Sequence, residues 1–368
     1  MKKRPLISCK ISKSENFVFI TESKKLLIID DIQLEIIDKF FSMSKVDFLR
    51  YVSNKFPNSK QKQILNEVKK LTKSVNNFTS KSKSIELPTG LKSFDFKLSN
   101  LFFSIYYEDI ELINTVIGQL HHLQCDLKKD LISKKYYVFR YKKRYYLNHE
   151  NYNIGSWEKN EIHFLTGKLL SMIMCDFHKL DEQNWSAFLH ASSVSKNNSC
   201  FLVVGESGNG KSTSCAILSN NGFKLITDDI TPIKKNGSVG NFPNSISVKS
   251  SAYDKLRKIY PEKMFSDSFN LDKGEIKFLN PNTSTEFNPL NLSCSNLIWV
   301  KYQPNVKNST NKVSRKEVLS LIVNDSFFPL NTESVQGFMN WFVKCNCYEL
   351  VYHDDTYLIN FFNQISNN

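Results

Sequence analysis

Residues Gly205-Glu206-Ser207-Gly208-Asn209-Gly210-Lys211-Ser212 satisfy the spacing G-x-x-x-x-G-K-[ST]. The chemistry of that arrangement is phosphate binding when a strand precedes it and a helix follows. The apolar run CFLVV stands before it and the helix candidate STSCAILSN after it. Glycines at 205, 208 and 210 reach backbone conformations closed to other residues, so consecutive N–H groups can converge on phosphate oxygens at the helix start. Lys211 is expected to meet the β- and γ-phosphates and the Ser212 hydroxyl to sit on magnesium, with Ser207, Asn209 and Thr213 completing the loop around the nucleotide. The loop alone implies a bound nucleotide and does not separate a kinase from a GTPase, a motor or a transporter.

One short helix after the loop, the chain turns at Asn221-Gly222 and enters FKLIT, which ends in Asp228-Asp229. Ligands of open α/β sheets lie outside the carboxyl ends of the strands, so both carboxylates are expected where the loop holds phosphates. One of them can hold magnesium and the other can act as a base. A pair, where a single carboxylate would serve a metal, suggests removal of a proton from an incoming hydroxyl. FLHASSVS (188–195) is read as a strand beside the phosphate-loop strand, bringing the His190 imidazole toward Asp228.

The elements that must position these groups follow from periodicity. Before the loop, FVFIT (17–21) and LLIID, ending at Asp30, read as a small hairpin. Helical spacing then recurs in 32–41, in 46–56 after the cap candidate Ser44, and in 62–72. Two strands and three short helices make a unit the size of a winged helix, assigned to residues 1–75. A polar Ser/Lys/Asn-rich stretch gives a linker over 76–90, and the remainder, 91–368, forms the nucleotide domain. In it, 94–107 reads as strand, 136–148 as a hairpin turning near Lys142-Lys143, and 162–177 as a helix. The runs FLHASSVS, CFLVVGES and FKLITDDI, with a helix between the last two, have the alternation of an α/β sheet. Helices are expected in 313–328 and 333–345, then a strand over 348–353 and a last helix.

The chain has 368 residues, 41% of them hydrophobic and 23% charged, an ordinary globular balance for two or three domains. No apolar run approaches the ~18–20 residues of a membrane span, and MKKRPLISCK lacks a signal-peptide pattern. A cytoplasmic protein is expected. The eight cysteines read as reduced thiols, since Cys345 and Cys347 have no further ligands at metal-site spacing. A formal charge of +13 points to an acidic partner without saying which, and part of the lysine excess fits the composition of an AT-rich genome.

His190-Ala191-Ser192, GESGNGKST, NNGFKLITDD and FPNSISVK (242–249) together resemble the HPr kinase family, especially its relatives with a carboxykinase-like nucleotide domain. The resemblance spans roughly residues 90–365. It implies an α/β fold with a carboxykinase-like P-loop domain, and transfer of a phosphate from ATP, with Mg2+, to a serine hydroxyl. It further implies His190 as proton partner, Asp228 as base, Asp229 as the metal-side carboxylate and Lys249 facing the phosphates. The Arg/Gly-rich segment that follows the aspartates in true HPr kinases is not visible here, so HPr is a poor substrate expectation. Residues 24–71 resemble PqqD-like domains, which hold a leader peptide by adding it as a strand at a sheet edge. The first 75 residues carry about twice as many basic as acidic side chains, which suits an acidic leader.

The reading is therefore an ATP-dependent kinase of a Ser/Thr hydroxyl in a ribosomally made precursor peptide, with a small winged-helix-like α+β domain preceding the nucleotide domain. The alternatives are a small-molecule hydroxyl kinase, for instance of an amino acid, and a nucleotide-regulated DNA-binding protein. Nucleic acid is disfavoured because the third helix offers Gln61, Gln63 and Asn66 beside Glu67 and no arginine. No membrane partner is expected, and an oligomer is left open.

Overall fold

The computed structural model describes residues 5–73, 82–83, 85–271, 274–281 and 288–367. Residues 76–81 and 84 of the expected linker lie outside them. The chain begins with a three-stranded antiparallel sheet, β1 (Leu6–Lys10), β2 (Glu15–Ile20) and β3 (Lys25–Asp30), where the sequence reading placed a two-stranded hairpin. The additional strand, LISCK, is too short and too mixed in polarity to stand out. Its partner β2 is buried almost throughout and therefore needs cover on both edges and both faces.

Three helices follow: α1 (Asp31–Ser42), α2 (Lys45–Lys55) and α3 (Asn58–Thr72). Asp30 and Gln33 form a reciprocal capping box at α1, and the Ser44 side chain accepts from the Asp47 amide at α2, as its position in the sequence suggested. Alternation along β2 sends Val18 and Ile20 toward Ile37 of α1, while Phe17 and Phe19 enter a different core.

A second sheet runs β4 (Ser82–Lys83), β5 (Lys92–Leu98), β6 (Leu101–Tyr107), then helix α4 (Asn114–Leu120), and β7 (Lys134–Tyr141), β8 (Arg144–His149) and β9 (Tyr152–Trp157), in spatial order β4-β9-β8-β7-β6-β5. The segment 94–107 is thus a hairpin, turning at Ser99 with φ 54°, and the β7–β8 hairpin turns at Lys142 with φ 55°. Helix α5 (Ile162–His178) and α4 pack on this sheet around Leu165, Leu169 and Ile173.

The large sheet is built from β10 (Trp185–Leu189), β11 (Ser192–Lys196), β12 (Ser199–Val204), then α6 (Lys211–Asn220), β13 (Lys224–Thr227), β14 (Thr231–Lys234) and β15 (Val239–Gly240). Three strands and a helix come next: β16 (Ile246–Lys249), α7 (Ser250–Arg257), β17 (Phe269–Leu271) and β18 (Gly274–Leu279), the strands forming a small sheet of their own in the order β16-β18-β17. The large sheet is completed by β19 (Asn291–Tyr302), β20 (Ser309–Lys312) and β21 (Asn346–Tyr352), with α8 (Arg315–Ile322), α9 (Thr332–Phe342) and α10 (Asp355–Ser366). Its order is β10-β14-β15-β19-β12-β11-β13, with β21 pairing β19 and β20 beside β21.

Two sequence expectations change here, and two features go beyond the sequence. FLHASSVS is two strands, not one, because the chain breaks at His190-Ala191 and the halves join different partners, β14 and β11's neighbours β12 and β13. The helix drawn over 313–328 stops at Ile322, since Phe327 exchanges backbone hydrogen bonds with Phe188 at 2.8 and 2.9 Å. The sheet is mixed: β11 runs antiparallel between β12 and β13, which leaves those two pointing the same way. The long strand β19, parallel to both β12 and β21, was not read from the sequence, because its first half is polar and partly exposed.

Alternation along β12 and β19 divides the core. Leu202, Val204 and Leu297 face one side, with α8, α9 and the Phe17–Phe19 face of the first sheet. Phe201, Val203, Ile298 and Val300 face the other, with α6, α10 and Val248 of β16. Phe17 meets Phe338 of α9 edge to face at 5.9 Å, so the N-terminal unit shares a hydrophobic core with the large sheet.

Candidate active site

The phosphate loop lies where its sequence context requires, between the carboxyl end of β12 and the first turn of α6. Gly205, Gly208 and Gly210 have φ of 149°, 94° and 89°, in the region that favours glycine. At Gly210 a side chain would also be crowded, since a Cβ there would stand 3.2 Å from Tyr302 Cβ. Gly210 is also the N-cap of α6, and no side chain caps that helix, unlike α1, α2, α8 and α10. The helix dipole favours an anion at the first turn of α6.

Lys211 is buried, its ammonium donating to the carbonyls of Gly205 at 2.7 Å and Glu206 at 3.3 Å. Folded back over its own loop, the cation lies within the ring of backbone that would surround a phosphate. Ser207 and Asn209 are in the loop, with Ser207 receiving a 3.4 Å hydrogen bond from Lys249 Nζ, and Thr213 follows Ser212 in the first turn of α6.

Because β12 and β13 run the same way, Asp228 and Asp229 emerge at the same end of the sheet as the loop. Asp228 is fully buried. Its Oδ1 and Oδ2 each accept from Ser212 Oγ at 3.0 Å, Oδ1 also accepts from Ser192 Oγ, and Oδ2 accepts from the Ser247 amide at 3.0 Å. Burial, and then the neighbouring Asp229 charge, push the Asp228 carboxyl above the usual range, against these hydrogen bonds. Asn244 fixes the backbone, accepting from the Asp228 amide at 2.9 Å and donating to its carbonyl at 2.6 Å.

Asp229 occupies the centre of a three-residue turn closed by Ile230 N–H on the Asp228 carbonyl at 2.8 Å, with φ 66°. That conformation is uncommon outside glycine, and strain of this kind gathers at functional sites. The turn sends the Asp229 carboxylate to solvent, 44% exposed, with His190 Nδ1 3.3 Å from Oδ1 and Gln119 Nε2 3.4 Å from Oδ2. The expected pairing of His190 with Asp228 is thus corrected. His190 sits in the break between β10 and β11, anchored by its amide on Ser326 Oγ at 2.9 Å, and reaches the second aspartate instead.

Several site residues went unnoticed in the sequence. Ser192, Asn244 and Ser247 lie inside the quoted segments HAS and FPNSISVK, but short polar residues there carry no spacing signal. Gln119, more than a hundred positions from Asp229, left no local trace at all. Beside it, Ser245 Oγ bonds His122 Nδ1 at 3.0 Å, and burial lowers the His122 pKa to about 4. Among the described residues no group of three or more His, Cys, Asp or Glu could hold a metal ion, and no helix is long and apolar enough to cross a membrane.

No family model matches the chain, and no curated protein matches it. Among solved structures, the HPr(Ser) kinase/phosphatase from Coxiella burnetii aligns with 48% of this chain and 96% of its own, at 13% identity and a TM-score of 0.22. A likeness that shallow carries no weight for fold or activity.

Proposed function

We propose that this chain is an ATP- and magnesium-dependent phosphotransferase acting on a Ser/Thr hydroxyl of a ribosomally made precursor peptide. The observation that carries the reading is the division of the aspartates. One is buried on the phosphate-loop serine, and the other is half-exposed on a histidine, at the strand ends where the loop would hold a triphosphate.

Ser212 and Asp228 offer hard oxygen ligands converging at one point, which fits magnesium, an ion commonly held by one or two carboxylates plus substrate phosphates. When bound, magnesium would neutralise charge developing on the β- and γ-phosphate oxygens. Lys211 and the α6 amides would hold the same oxygens. Asp229, oriented by His190 and Gln119, accepts the proton of the incoming hydroxyl. The hydroxyl oxygen forms the new bond to the γ-phosphorus as the bond to the β-phosphate oxygen breaks, releasing ADP. The roles drawn for the two aspartates from the sequence are therefore exchanged: Asp228 on the metal side, Asp229 as base.

The peptide acceptor is supported by the N-terminal unit. Among the described residues β1 pairs only with β2. Its other edge borders a groove of about 560 Å³ against α1, lined by Leu6, Ser8, Leu34, Asp31, Glu35 and Asp38. An added strand fits such an edge. Asp31 and Glu35 in this lining are paired with Lys10 and Lys55, so the groove does not by itself choose the sign of the leader's charge.

Asparagine variants test the assignment of roles. Asp229→Asn is expected to keep Mg-ATP affinity near normal and to lower the transfer rate by the ~10²–10⁴ of a lost base. Asp228→Asn is expected to weaken the magnesium dependence of ATP binding. The opposite pattern would restore the order implied by resemblance, and indifference in both variants would end the kinase reading.

A further inference from the structure

The phosphate loop has two flanks. The aspartates occupy the side of β12 toward β11 and β13; on the other side β19 and β21 run parallel to β12 and end beside the loop. Both finish in tyrosine, Tyr302 and Tyr352. Tyr352 is buried, its hydroxyl bonded to Ser214 Oγ of α6 at 2.8 Å. Tyr302 is 40% exposed at the carboxyl end of its strand. Its main chain is tied to the loop: its amide donates to the Asn209 carbonyl at 3.2 Å, and its Cβ is the atom nearest to where a side chain on Gly210 would stand. The ring leans edge-on against Tyr352, centroids 5.5 Å apart, and the Lys255 ammonium, paired with Asp355 at 2.6 Å, stands 5.3 Å from its centroid.

We infer that Tyr302 is the stacking platform for the purine base of the nucleotide, and that the base lies over the carboxyl ends of β19 and β21. This rests on the nucleotide reading above and extends it to a subsite. With phosphates in the loop and the metal and acceptor on the β13 side, the rest of the nucleotide must leave toward the opposite flank, across the carboxyl ends of the parallel strands. Tyr302 stands there partly exposed, its main chain tied to the loop through Asn209 and the Lys255 ammonium over its ring. An aromatic ring stacks on a base without reading its edge, so a purine is bound with little discrimination between adenine and guanine.

Titration of ATP, GTP and inorganic tripolyphosphate, each with magnesium, into the full chain and into Tyr302→Ala, Tyr302→Phe and Lys211→Ala tests the subsite. Tyr302→Ala is expected to weaken ATP and GTP by about five- to a hundredfold and to leave tripolyphosphate binding unchanged. Tyr302→Phe, which keeps the ring, is expected to bind all three like the parent. Equal ATP affinity in the parent and Tyr302→Ala overturns the inference while leaving the nucleotide reading intact. Loss of tripolyphosphate along with ATP in Tyr302→Ala also overturns it, since it makes the tyrosine a support of the loop. If the parent binds neither ATP nor tripolyphosphate, or Lys211→Ala binds both normally, the phosphate-loop reading itself fails.

Discussion

Asp228 loses all contact with water while Asp229, one residue on, keeps nearly half its side chain in solvent. The difference comes from the turn at φ 66°, which needs a residue tolerant of the left-handed region, and aspartate is among the few side chains enriched there. The motif spacing made the loop and the two carboxylates legible in the sequence, because each sits where local chain geometry alone delivers it. Which aspartate meets His190 was not legible, since it depends on the strand break at His190-Ala191 and on Ser326 from a remote segment. The same scale yields a prediction at Gly210. Alanine there must adopt φ near 89° and push against Tyr302. The left-handed conformation alone costs roughly 1–2 kcal/mol. Gly210→Ala is expected to lower thermal stability and to weaken ATP by at least about tenfold, as measured by calorimetry and titration. Unchanged affinity would show that the loop amides do not meet the phosphates.

At the scale of elements, helices with caps and periodic faces were read almost as they stand; α1, α2, α5 and α10 follow their apolar stripes. Strands were read less completely. β1 is a short edge strand and β19 is polar along its first half, so neither has the pattern of a half-buried strand, and both are defined by the neighbours they pair with. The edge of β1 carries a consequence for the acceptor. Thr21 N–H bonds the Pro5 carbonyl and Ile11 N–H the Glu15 carbonyl, so by antiparallel alternation the backbone of Ser8 faces away from β2. Proline at an outward-facing edge position removes a donor without breaking the existing ladder. Ser8→Pro is therefore expected to leave ATP hydrolysis and folding near normal and to raise the KM for a full precursor peptide about tenfold or more, with little effect on a leaderless core peptide. Identical kinetics on both substrates would remove the groove from the account and favour a small-molecule acceptor.

Over the whole molecule, the N-terminal unit and the nucleotide-binding half are joined through a common core at Phe17, Phe19 and Phe338, supported by the Lys316–Glu15 ion pair. Deleting residues 1–75 would uncover that apolar face, which makes the Ser8→Pro edge variant the cleaner probe. Two buried histidines add acid sensitivity to the fold. Burial lowers the pKa values of His122 and His178 from 6.5 to about 4, and His178 Nε2 bonds the Asn241 carbonyl at 2.8 Å. Both must charge as the pH falls, and the unfolded chain takes up those protons first. Stability is therefore lost as pH falls from about 6.5 to about 4, on the order of 3 kcal/mol for each histidine. Melting temperature against pH is expected to drop across that window in the parent and less steeply in His178→Gln; parallel curves would remove His178 as a source of the acid sensitivity.

The most direct measurement follows the γ-phosphate of labelled ATP, with magnesium, in single turnovers of the parent chain and of Lys211→Ala. Lys211 contributes a cation folded into the loop on the carbonyls of Gly205 and Glu206, where the phosphates would be held. The parent is expected to remove the γ-phosphate, to water slowly and to the acceptor faster, while the variant, folded to the same melting temperature within a few degrees, loses about 10²–10³ of the rate. No loss of γ-phosphate from the parent in the presence of an acceptor peptide, or equal rates in the two proteins, would contradict the assignment of this site as a phosphotransferase.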